Sequence, residues 1–152
     1  MNICRNLLCA LFALLLLSCS QDDDNASHAA HSGPPVIQFD SFNRQTFMQF
    51  RDSVVMFISF TSPTGNVGHL NADKHALEVR DVRLNKPDTY YVPPLAPPQN
   101  TNRVSGTLKV VMPPLFILGN SNRQSTHFEV QLRDERGNLS NLVITPAIVI
   151  EK

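Results

Sequence analysis

Tryptophan is absent, and the three cysteines, Cys4, Cys9 and Cys19, all fall in the first nineteen of the 152 residues. From Ser20 onward no disulfide can form, so the stability of that part must come from apolar packing. An excess of either charge is also missing. The 13 basic and 13 acidic side chains balance, and no basic run or stripe gives the electrostatic footprint of a nucleic-acid binder. One long apolar run occurs, residues 7–17, about half the roughly 20 residues needed to cross a bilayer. After it there is no sustained helical period and no internal repeat. A Gly-x-Ser-x-Gly elbow and a free thiol are both lacking, which removes the recognisable nucleophiles. No cofactor is implied, and a non-enzymatic role is expected.

What is present begins with an address. Arg5, the apolar run and the small residue Ser18 form the three parts of a secretory signal over residues 1–18. Leu16-Leu17-Ser18-Cys19 resembles the bacterial lipobox, with Leu17 larger than that pattern prefers. The resemblance implies cleavage before Cys19, lipidation of Cys19, and membrane attachment through the lipid. Several acyl chains, each contributing about 0.8 kcal/mol per buried methylene, would make the attachment durable. The following Asp22, Asp23 and Asp24 resemble the acidic export signal of surface lipoproteins in Bacteroidetes-type bacteria. That implies an outer-membrane location facing the cell exterior. Residues 19–35, polar and closed by Gly33-Pro34-Pro35, read as a flexible acidic tether with an r.m.s. span of roughly 20–25 Å. His28 and His31 lie in it as solvated linker residues.

Residues 36–152 change texture to short apolar runs broken by turn residues. Strands are expected at 36–39, 46–50, 52–61, 76–84 (with a bulge near Asp81), 104–112, 126–133 and 142–150. The run 52–61 has the β-branched and aromatic content of a buried central strand. Residues 87–102 carry five prolines and read as a long loop. In 126–133, Phe128, Val130 and Leu132 alternate with polar residues, so they should face a core. The turn Asp134-Glu135-Arg136-Gly137-Asn138 should join this run to 142–150 as an antiparallel hairpin. Pro146 predicts a bulge or edge position in the last strand. About seven strands at this spacing imply an all-β, Ig-like or fibronectin-like sandwich. The Cys–Trp–Cys signature of antibody domains is missing.

A wider resemblance runs through Phe60-Thr61, Gly65, Val67-Gly68, Val79-Arg80-Asp81-Val82-Arg83, Val92-Pro93-Pro94, Val104-Ser105-Gly106-Thr107-Leu108 and Asp134 to Asn141. Taken in order, these are similar to a group of Bacteroidetes lipoproteins with a single bacterial Ig-like domain. The resemblance implies the fold and the location, and no settled activity. Relatives carry an acidic, calcium-type loop where this chain reads Ser62-Pro63-Thr64-Gly65-Asn66-Val67-Gly68. Without carboxylates, that loop should hold calcium poorly.

Three further places carry candidate chemistry. Tyr90, Tyr91, Pro93 and Pro94 form an aromatic, pre-stiffened loop suited to contact with a protein or glycan, or to covering a sheet edge. His69, Asp73 and His75 are the one cluster of metal-ligating type, and could hold zinc with an open position. Asp52-Ser53-Val54 resembles the O-glycosylation pattern of the same bacteria, implying modification of Ser53. Three roles follow: a tethered interaction module, a structural accessory lipoprotein of an envelope complex, and a metal-dependent hydrolase. Exposed aromatics at one end of the domain would favour the first. A large apolar side patch would favour the second, and three converging ligands the third.

Overall fold

The computed structural model describes residues 33–97 and 102–152. The expected signal, Cys19 and Asp22 to Asp24 lie outside the described residues, within the unit Met1–Ala30. The described residues of the unit His31–Lys152 are all-β, with ten strands among them: β1 Val36–Phe42, β2 Thr46–Met48, β3 Val54–Ser62, β4 Leu77–Asp81, β5 Asp88–Tyr90, β6 Val104–Met112, β7 Arg123–Thr126, β8 Phe128–Leu132, β9 Val143–Ile144 and β10 Ile148–Glu151. They form three sheets, ordered β1-β3-β6, β5-β4-β8-β9 and β2-β10-β7. One hydrophobic cluster joins residues from all three.

β3 is the central strand of its sheet, as its composition predicts. Val54, Met56, Ile58 and Phe60 point inward and are buried. Phe128, Val130 and Leu132 of β8 meet them from the other side at 0–2% exposure, and the Phe42 ring stands edge-on to Phe128 at 6.0 Å. β8 pairs antiparallel with β9, and β7 with β10, so the hairpin forms across the expected turn. Asp134 pins that turn by accepting the Arg136 and Asn138 N–H groups.

Ten strands replace the expected seven because several runs are interrupted. The last runs in register through Glu129–Ile144, then resumes one residue out of step at Thr126–Ile148. Pro146 has no N–H to donate there, and the Phe128 N–H donates to the Thr145 hydroxyl at 2.9 Å. The expected strand 126–133 likewise starts earlier, at Arg123, and breaks at His127. Two further expectations are corrected. The strand in 76–84 stops at Asp81, where Asp81 accepts the Arg83 and Leu84 N–H groups and turns the chain. Residues 87–102 are not wholly loop, because Asp88, Thr89 and Tyr90 pair with β4.

Strand direction gives the unit two distinct ends. Val36, Ser62, Leu77, Val104 and Leu132 lie at one, where β1 enters. Met48, Val54, Asp81, Met112 and Glu151 lie at the other.

Candidate functional site

At the end away from the β1 entry, two turns put aromatic rings into solvent. Phe50 follows β2 and is 72% exposed, and Phe116 follows β6 at 38%. Their rings are parallel to within 5°, with centroids 6.3 Å apart. Leu118 extends the patch. Phe50 has φ 57° and is the one non-glycine residue with positive φ among the described residues. A left-handed conformation costs a side-chain-bearing residue roughly 1–2 kcal/mol, so its neighbours must hold it.

They do so from both sides. The Phe50 N–H donates to the Leu115 carbonyl at 2.9 Å, and Gln49 Oε1 accepts the Ile117 N–H. Asp52 closes the turn by accepting the Met48 N–H at 2.9 Å. That backbone bond, outweighing partial burial and aided by Arg51 and Arg44, holds the Asp52 carboxyl below its ordinary pKa. Beneath Phe116, Arg83 donates to the Phe116 carbonyl at 2.8 Å and to Gln124 Oε1 at 2.6 Å. Gln124 Oε1 also accepts the Leu118 N–H. The patch is therefore built on a hydrogen-bonded frame, which lowers the ordering cost of binding. Arg44, Arg51 and Arg123 stand around it with their side chains largely in solvent. Reading the sequence did not single out Phe50, Phe116 or Leu118. The available signal was an aromatic between two strands, immediately before Arg51-Asp52.

The expected loop lies at the opposite end. Tyr90 belongs to β5 and Tyr91 is exposed, while Val92 is buried between them and Pro93. Burial, followed by the charge of Asp88, raises the Tyr90 hydroxyl pKa. The loop is locked to 67–69: His69 N–H donates to the Val92 carbonyl and Leu95 N–H to the Val67 carbonyl. At Gly68, φ is 90° and an added Cβ would lie 2.0 Å from the Pro93 carbonyl oxygen, so only glycine fits. Tyr90, Tyr91 and Pro93 flank a cleft of about 140 Å³ that reaches β6.

The other candidates stay apart. Asp73 and His75 are exposed, and His75 Nδ1 bonds the Thr89 hydroxyl at 2.7 Å. Among the described residues no group of three His, Cys, Asp or Glu side chains converges to hold a metal. Ser53 is exposed beside the Phe50 turn. In the loop 62–68, Thr64 and Asn66 side chains bond each other, so two of its few oxygens are engaged internally. Calcium needs several oxygen ligands including charged ones. The melting temperature in millimolar calcium should therefore equal that in chelator. A ligand at about 100 times its dissociation constant adds roughly 2.7 kcal/mol, and a rise of several degrees would contradict the expectation. A rise with zinc alone would make ligands of His69, Asp73 and His75.

Comparison with protein-family models gives no match, and comparison with curated proteins gives none. Two solved structures share a partial likeness. A mutant of the SrpA adhesin from Streptococcus sanguinis has a TM-score of 0.43 at 18% identity, over 79% of this chain and 57% of that one. The sialic acid binding region of a Streptococcus sanguinis adhesin has a TM-score of 0.32 at 21% identity, over 78% of this chain and 29% of that one.

Proposed function

We propose that this chain is a lipid-anchored outer-membrane protein whose Ig-like sandwich is a non-enzymatic module for contact with a protein or glycan. The observation that carries this reading is the exposed Phe50–Phe116 pair, held in a strained and hydrogen-bonded frame. Exposed aromatics rimmed by polar groups are characteristic of binding surfaces. The Ig-like reading is a finer one than the all-β architecture, and one way of grouping the strands supports it. Counting β1/β2, β7/β8 and β9/β10 as interrupted pairs reduces the ten runs to seven strands. Leu142 and Ile144, 50% and 62% exposed on the β8–β9 side, favour a second reading as a structural accessory of an envelope complex.

Three experiments test the proposal. Cys19→Ala should abolish lipidation and move the protein out of the membrane fraction. Retention in membranes at high salt without detergent would defeat the anchor. Replacing Asp22, Asp23 and Asp24 with alanine should leave lipidation intact and reduce access to external protease. For the contact surface, a photo-crosslinking phenylalanine analogue at position 50 of the anchored protein should give a discrete adduct. The same analogue at position 70, 79% exposed at the opposite end, should not. Equal adducts from both positions would remove the tip from the account.

A further inference from the structure

The two edges of the β1-β3-β6 sheet are treated differently. At β1 the Asn141 side-chain amide accepts the Ile37 N–H and donates to the Ile37 carbonyl, both at 2.9 Å. It occupies the backbone groups that an added strand would use, and a bulge between Phe39 and Ser41 distorts the rest of that edge. Among the described residues, no side chain caps the free backbone groups of β6 in this way. All nine residues, Val104–Met112, pair with β3 on one side, and no strand among the described residues pairs with the other. An unpaired edge presents a row of N–H and C=O groups complementary to another extended backbone.

The surroundings specify what would fit. The 140 Å³ cleft runs beside this edge, with Leu77, Val92 and Val110 buried in it and Tyr91 and Lys109 exposed at its rim. That space suits one apolar side chain of an added strand. Lys109 is the one charged residue of β6 and has no ion pair among the described residues. Joining β6 to β6 of a second copy in the register that sets Lys109 against its own copy would place like charges opposite each other, which opposes pairing. A carboxylate opposite Lys109 turns that repulsion into a favourable cross-strand pair.

We propose that β6 accepts an extended segment of a partner protein as an added strand, with an apolar side chain in the tyrosine-flanked cleft and a carboxylate opposite Lys109. This is a second contact surface, independent of the aromatic tip.

The test uses the chain from Ser20, which carries every strand and core residue, labelled for amide NMR. The probe is a nine-residue peptide alternating valine and threonine, with glutamate as its central outward residue. Its control carries lysine there. The glutamate peptide should slow amide exchange along β6 and leave β1 unchanged, and the lysine peptide should bind about three- to tenfold more weakly. Lys109→Glu, an exposed substitution that spares the core, should reverse the order of the two peptides. Absence of β6 protection with either peptide, protection at β1 instead, or an unreversed order in Lys109→Glu would overturn the proposal. Concentration-dependent protection of β6 without peptide would overturn it too, making the occupant a second copy.

Discussion

Phe128→Ala is expected to destabilise the domain by about 3–5 kcal/mol, the range for truncating a buried phenylalanine. The side chain is 2% exposed, touches the Phe42 ring edge-on, and shares one buried cluster with the inward side chains of β3. Its backbone is fixed on both sides, by Asp81 of β4 and by the Thr145 hydroxyl. The surroundings therefore cannot collapse freely into the space left behind, which places the cost toward the upper end of that range. A loss of that size is a large share of the 5–15 kcal/mol typical of a single domain. Chemical denaturation would show it as a lower midpoint with an unchanged slope. A loss under about 1 kcal/mol would mean that Phe128 is not at the centre of the core.

Arg83→Met is expected to cost a similar amount, by a different route. Asp81 is 6% exposed and the Arg83 side chain 9%. Burial alone pushes the Asp81 carboxyl pKa up, but hydrogen bonds from the Arg83 guanidinium and Thr126 hydroxyl outweigh it and hold the carboxyl below its ordinary value. Thr126 Oγ1 donates to Asp81 at 2.6 Å. Removing one partner of a buried pair costs about 3–5 kcal/mol, because the remaining charge is uncompensated. The pH dependence separates this from simple loss of packing. In the native protein the folded pKa lies below the unfolded one. The stabilisation is then fully present above about pH 4 and lost as pH falls through the folded value. In Arg83→Met, burial without the guanidinium raises the folded pKa, so the penalty is largest at pH 7 and shrinks toward pH 5. The variant's melting temperature should rise relative to the parent over that interval. A constant difference between pH 7 and 5 would show that loss of the guanidinium does not raise the Asp81 carboxyl pKa into that interval. The same substitution removes the donor to the Phe116 carbonyl, so it should also loosen the aromatic tip.

Much of the fold was legible in local pattern. Val104–Met112 is bounded as expected because Pro113-Pro114 stops it. Phe128, Val130 and Leu132 face inward because a period of two leaves them no other face. Pro146 marks the register step of the final hairpin. The parts that escaped depend on contacts distant in sequence. Asp88–Tyr90 lies among turn-forming residues and is a strand only because β4 pairs with it. Arg83 continues an alternating pattern, but the chain has already turned at Asp81, so its guanidinium goes to Phe116 and Gln124. Phe50 reads as the end of a strand, and its left-handed backbone is held by a carbonyl 65 residues away, that of Leu115. The expected tyrosine loop exists as a surface feature at the opposite end. Its neighbour, the open edge of β6, was hidden because an unpaired edge leaves no mark in composition.

The most direct measurement of the central claim is the affinity of the partner captured from position 50, compared across two soluble variants. The double substitution Phe50→Ala with Phe116→Ala removes the tip, and Leu70→Ala removes an exposed apolar residue at the other end. Hot-spot aromatics contribute about 2 kcal/mol or more each when truncated, and every 1.4 kcal/mol is about a tenfold change. The tip variant, losing two such side chains, should bind roughly 700-fold more weakly with an unchanged far-ultraviolet spectrum, while Leu70→Ala binds as the parent does. If the tip variant stays within about twofold of the parent, or Leu70→Ala weakens binding equally, the aromatic tip is not the contact surface.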